Sequence, residues 1–110
     1  MKRIVMSFGA FLTGDEIADA VNRYSLALAK AHETEIIEIP YRATIDRVDR
    51  IELRIGWLVD IGVVHHDDEG RELLEPETVR HLHDTTDSLE SVGSIGEESS
   101  RSWTRWEYDL

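Results

Sequence analysis

An α/β fold, a two-layer sandwich with two helices on one face of a small mixed sheet, is predicted for this chain by three observations. Arg3 to Phe8 is a short apolar run of strand-forming residues that ends at Gly9. Ile17, Val21, Tyr24, Leu28 and Ala31 then recur at spacings of three and four, the stripe of an amphipathic helix. Further on, Ile51, Leu53, Ile55, Trp57 and Val59 alternate with Glu52 and Arg54, which is the period of a strand with one dry face.

Taken in order, the first run reads as a strand, and Thr13-Gly14-Asp15-Glu16 as the start of the first helix. Thr13 supplies a capping hydroxyl, and the two acids stand where the helix dipole favours anions. That helix is expected over roughly residues 15–32, where several alanines add propensity. Glu35-Ile36-Ile37-Glu38-Ile39-Pro40-Tyr41 reads as the second strand, with Pro40 closing it or placing its end at a sheet edge. Residues 42–49 read as a polar connection. The odd-numbered apolar phase then runs from Ile51 to His65. Gly56, Asp60 and Gly62 favour a turn at Gly56 to Asp60 that makes a hairpin with 61–66, over one long bent strand running 51–65. A turn at Asp67 to Gly70 leads to a second helix, which starts at Glu75-Pro76 and carries the narrow stripe Val79, Leu82, Thr86 and Leu89. The predicted order is β-α-β-β-β-α with about four strands, and strand–helix–strand near the start implies a right-handed parallel crossover.

Composition divides the chain into a single α/β domain (1–90), a Gly-, Ser- and Glu-rich flexible linker (91–102) and an aromatic C-terminal docking segment (103–110). The formal net charge is −11, and residues 67–90 hold nine acids against Arg71 and Arg80. No stretch is basic, so phosphate neutralisation is not on offer and nucleic-acid binding is not expected. The same charge repels anionic membranes, and the apolar start of the chain meets Ser7, Gly9 and Thr13 before an export segment forms, so a soluble cytoplasmic protein is expected. With no cysteine, disulfide staples, thiolate metal sites and cysteine nucleophiles are excluded.

Three candidate sites come from residue type and spacing. Gly9 to Gly14 has the glycine spacing of a phosphate loop, but the Lys-Ser/Thr pair is replaced by Asp15-Glu16. What remains is a weaker small-ligand crevice lined by Phe8, Gly9, Thr13 and Gly14. His65, His66, Asp67, Asp68, Glu69, His81 and His83 are potential metal ligands. His83 and Asp87 have the i, i+4 spacing that puts two ligands on one helix face, whereas neighbours such as His65 and His66 point apart on a strand. The third candidate is partner binding by Trp103, Trp106, Tyr108 and Leu110. So much apolar area favours burial, and in extended form Trp106, Tyr108 and Leu110 share a face suited to strand addition. Gly93-Ser94-Ile95-Gly96 is one residue short of a serine-hydrolase elbow, and no catalytic set, cofactor motif or metal site emerges.

The sequence therefore points away from an enzyme. It points toward a small non-catalytic binding or assembly module that self-associates, as a dimer in the simplest case. The alternatives are an acidic inhibitor or antitoxin-like partner of a basic protein, and a small-ligand-binding α/β enzyme or sensor using the Gly9–Gly14 loop.

Overall fold

Ser7 and Phe8 turn the chain back on itself, so the first apolar run is one arm of a hairpin. The computed structural model describes residues 1–67 and 70–100. Its elements are β1 (Lys2–Met6), β2 (Gly9–Thr13), α1 (Asp15–Lys30), β3 (Thr34–Thr44), β4 (Arg47–Gly56), β5 (Gly62–His65) and α2 (Pro76–Ser100). The α/β class and the two-layer arrangement agree with the sequence reading. Inside that class five strands form two antiparallel sheets, β2-β1-β5 and β3-β4. The expected parallel crossover is absent among the described residues. Because the hairpin puts β2 between β1 and α1, the helix no longer links two parallel neighbours.

The long β3–β4 hairpin runs straight through two sequence boundaries. Residues 42–49, read as a connection, are strand apart from the two-residue turn at Ile45 and Asp46. Pro40 lies inside β3 opposite Arg50 instead of ending it. The register explains why it is tolerated. Trp57 N–H donates to Glu33 C=O at 2.9 Å, so odd-numbered residues of β3 bond to β4, while even-numbered ones, Pro40 included, face the other way. Pro40 therefore withholds a donor that β4 does not need.

On that outward side β2 runs beside β3 without a backbone ladder, since the two belong to different sheets. The fully buried Thr13 hydroxyl donates to Pro40 C=O at 2.8 Å and bridges the seam. Phe11 stacks edge-on against Tyr41, with ring centroids 5.6 Å apart, on the same seam. The break expected near Gly56 is real, but β5 does not fold back on β4 as a hairpin. It crosses to pair with β1.

Helix α1 covers the core with Ile17, Ala20, Val21, Tyr24 and Leu28, which meet Ile4 and Met6 of β1, Ile39 of β3 and Leu53 and Ile55 of β4. Each large buried side chain contributes about 1.5–3 kcal/mol relative to exposure. The expected Thr13 cap is not used, because that hydroxyl is committed to Pro40. Gly14 is the N-cap, and the Glu72 carboxylate accepts from Asp15 N–H instead. The same carboxylate group pairs with the Met1 amino group at 3.0 Å. Helix α1 ends in paired bonds from Glu33 N–H to Leu28 C=O and from His32 N–H to Ala29 C=O. His32 takes a left-handed φ of 59°, and its ring lies 4.1 Å from that of Trp57. Gly56, at φ 115°, packs beneath this turn, where a Cβ would come within 2.3 Å of Glu33 C=O.

Helix α2 packs on α1 through Leu82 and Thr86, both buried; the Thr86 hydroxyl donates to Leu82 C=O at 2.7 Å. Its backbone stays helical to Ser100, through most of the 91–102 stretch that composition marks as linker. Gly93 and Gly96 each cost about 1 kcal/mol in a helix, which an established helix tolerates.

Thr13→Val is expected to lower unfolding free energy by about 1–3 kcal/mol in urea titrations, because it leaves a buried carbonyl without its donor. Gly14→Ala would set a Cβ 1.8 Å from Leu73 C=O. The 72–74 segment would have to move and the Glu72 cap would be lost, so the same measurement is expected to show a loss of about 3 kcal/mol.

Candidate functional site

The outward-facing backbone of β3 does not end at the seam with β2. Beyond Pro40, toward the start of the strand, the amides and carbonyls of Ile36 and Glu38 point the same way, and no strand among the described residues pairs with them. A cleft of about 350 Å³ opens there between β3 and the first turns of α2. Tyr24, Ile37 and Leu82 form its inner wall, Glu35 and Glu38 rim the strand side, and Glu77, Thr78 and His81 rim the helix side.

The balance of charge at the cleft is negative. Among the described residues three carboxylates and no lysine or arginine line it, and one of the three, Glu38, is paired to Arg50 at its margin. The positive end of α2 supplies about half a charge in opposition, too little to reverse the field. Nearby, Arg50 holds β4 to the start of α2, contacting Glu75 at 2.8 Å and Glu38 at 3.3 Å. Arg50, and to a lesser degree the Thr78 hydroxyl, hold the Glu75 carboxyl below its ordinary value. Tyr24 is 7% exposed and its phenol has no hydrogen-bond partner among the described residues. Burial, then the Glu35 and Glu33 carboxylates, raise its pKa, so the phenol is a neutral donor.

A second surface is the far edge of β4. The alternation that puts odd residues on β3 leaves the amides and carbonyls of Val48, Arg50, Glu52 and Arg54 directed outward, with no strand beyond them among the described residues, while the Gly56 carbonyl accepts from Val59 N–H in the turn that follows. Arg50, Glu52 and Arg54 are exposed on one face of this edge, and Ile51, Leu53 and Ile55 line the core face. Among the described residues neither Glu52 nor Arg54 has an ion-pair partner.

The sequence-derived candidates are placed as follows. Phe8 and Gly9 stand at one end of β2, and Thr13 and Gly14 at the other, so the four do not share a crevice. Phe8 lies beside Arg54, Leu58 and Asp60 in a shallow depression, while Thr13 and Gly14 are sealed against Pro40 and Leu73. His83 and Asp87 do converge, but on the guanidinium of Arg23, which also contacts Glu90. Arginine has only donors, so His83 Nδ1 is the acceptor and a cation already occupies the point between the two side chains. His65 turns to Asp67 and His66 to Arg3, apart from one another as strand geometry requires. Among the described residues no three histidine, aspartate or glutamate side chains are placed to hold a metal, and no helix is long and apolar enough to cross a membrane. Trp103, Trp106, Tyr108 and Leu110 lie outside the described residues.

Sequence reasoning had no access to either surface. The cleft brings together residues from three elements, and the β4 edge exists because β5 leaves for β1. The one available signal was the alternation of Arg50, Glu52 and Arg54. Comparison of the chain with family models, with curated proteins and with solved structures yields no match.

The depressed Glu75 value has a pH signature. Its contribution to stability is complete above the ordinary value of 4.5 and disappears as pH falls through the lower folded value. Glu75→Gln is therefore expected to be less stable than the parent at pH 7, and the two melting curves are expected to converge on acidification below pH 4.5.

Proposed function

We propose that this chain is a non-catalytic assembly module that pairs with a second copy of itself along the β4 edge. The supporting observation is that the edge is complementary to itself in one antiparallel register. With Leu53 opposite Leu53 of the partner subunit, Glu52 faces Arg54 of the partner subunit twice, and Ile51 faces Ile55 of the partner subunit twice. The outward backbone groups fall opposite outward backbone groups, as an antiparallel ladder requires. Opposite-charge and apolar cross-strand pairs each contribute about 0.2–1 kcal/mol.

The alternative registers are poorer. Centring on Glu52 sets that carboxylate against itself and Arg50 against Arg54. Centring on Ile51 places Asp49 and Arg47 against Leu53 and Ile55 on the apolar face. A slip by one residue would turn the apolar set to the wrong side. A long open edge is a template for pairing unless it is covered, and self-pairing covers it while respecting two-fold symmetry. The aromatic segment bearing Trp103, Trp106, Tyr108 and Leu110 is proposed to add to the contact, since Trp and Tyr are the usual anchors of interfaces.

Light scattering after size exclusion, at physiological ionic strength to screen the −11 charge of each copy, is expected to show a dimer. Arg54→Glu should weaken it by opposing Glu52 with another acid, and the double exchange Glu52→Arg/Arg54→Glu should restore it. A monomeric parent, or a double exchange no better than the single, defeats the edge assignment. Trp103→Ser/Trp106→Ser should weaken the dimer only if the tail takes part.

A further inference from the structure

The cleft between β3 and α2 is separate from the β4 edge, and we infer that it receives an extended segment of a partner protein carrying a lysine or arginine, added as a strand to β3. Three independent features converge on that occupant. The first is the backbone. The amides and carbonyls of Ile36 and Glu38 are turned into the cleft, and the register is anchored twice, by Trp57 bonding to Glu33 on one side and by Thr13 bonding to Pro40 on the other. A peptide laid along residues 35–38 meets about 10 Å of open strand, room for roughly three residues. Strand addition of this kind takes its affinity from main-chain bonds and its specificity from the pockets that alternate side chains enter.

The second feature is charge. Glu35 and Glu77 face the opening from strand and helix, with Glu38 beside them already paired to Arg50, so a basic side chain is attracted and an acidic one is repelled. Arg50 is not available to a ligand's carboxylate, because it is clamped between Glu38 and Glu75. The third is Tyr24. Tyr24 is more than nine-tenths buried and lines the cleft, and its hydroxyl, with no protein partner among the described residues, is a donor open to an arriving acceptor. The β3 backbone of this cleft is oriented for a chain that brings its own carbonyls. Those carbonyls are what a neutral phenol can bond, and what a bare metal ion or an amine would not supply.

The inference does not depend on pairing through β4, and either can stand without the other. The test uses the full chain and fluorescein-labelled short peptides read by fluorescence anisotropy. One peptide alternates valine with lysine, one alternates valine with glutamate, and one has the sequence of residues 101–110. The lysine peptide is expected to bind and the glutamate peptide to bind at least roughly tenfold more weakly. Glu35→Lys/Glu38→Lys should abolish the preference. Tyr24→Phe should lower affinity several-fold while leaving the melting temperature unchanged, because the hydroxyl it removes has no partner in the folded chain. Dimer content measured in parallel separates failure here from failure of the β4 pairing.

Equal binding of the lysine and glutamate peptides would overturn the inference, as would affinity unaffected by Tyr24→Phe and by the charge reversal together. Stronger binding of the 101–110 peptide than of the lysine peptide would overturn the assignment to a foreign partner and give the cleft to the tail of a second copy.

Discussion

Two sheets in this protein meet without a shared backbone ladder, and a residue that cannot donate stands at their seam. Pro40 faces β2 with its carbonyl and no N–H, and the Thr13 hydroxyl donates to that carbonyl. That contact sets the distance between β2 and β3, and through them the spacing of the strands under α1. It also fixes which groups of β3 face outward, since every second residue from Pro40 toward the start of the strand must share its direction.

The unfused seam has a consequence for edges. A continuous five-stranded sheet would have two open sides. Here β3 is joined to β2 only near Pro40, so the part of the strand around Ile36 and Glu38 is left bare as well. Helix α2 stands over that bare stretch and converts it from a flat edge into a cleft with acidic rims. The far side of β4 has no such cover among the described residues. The cleft is thus a product of the interrupted seam, whereas the β4 edge is open because β5 pairs with β1.

Charge placement follows a consistent logic. Where acids serve the fold, a specific cation or backbone donor meets them: Glu72 takes the first amide of α1 and the Met1 amino group, Arg23 gathers His83, Asp87 and Glu90, and Arg50 joins Glu38 to Glu75. These contacts lie at least partly in water, and each is modest in energy. Their effect is positional, for they fix where α2 begins and how it lies on α1. The carboxylates of Glu35 and Glu77 have no such partner among the described residues and line the cleft instead.

The amino-acid sequence by itself determined the α/β class, helix α1 and its buried stripe, the two faces of β4 and the start of α2 at Pro76. Each of these rests on local periodicity or on side-chain direction within one element. Two turns carry weak signals and one proline misleads. Ser7-Phe8 and Ile45-Asp46 have a serine or aspartate but no glycine or proline at their centres, and Pro40 resembles a stop while lying inside a strand. Only the tertiary structure decided that β5 pairs with β1 rather than β4, that Glu72 rather than Thr13 caps α1, and that Tyr24, Glu35, Glu38 and Glu77 share one cleft. These are long-range choices. They depend on which hydrogen-bonding directions remain open after distant strands have paired, and no window along the chain contains that information.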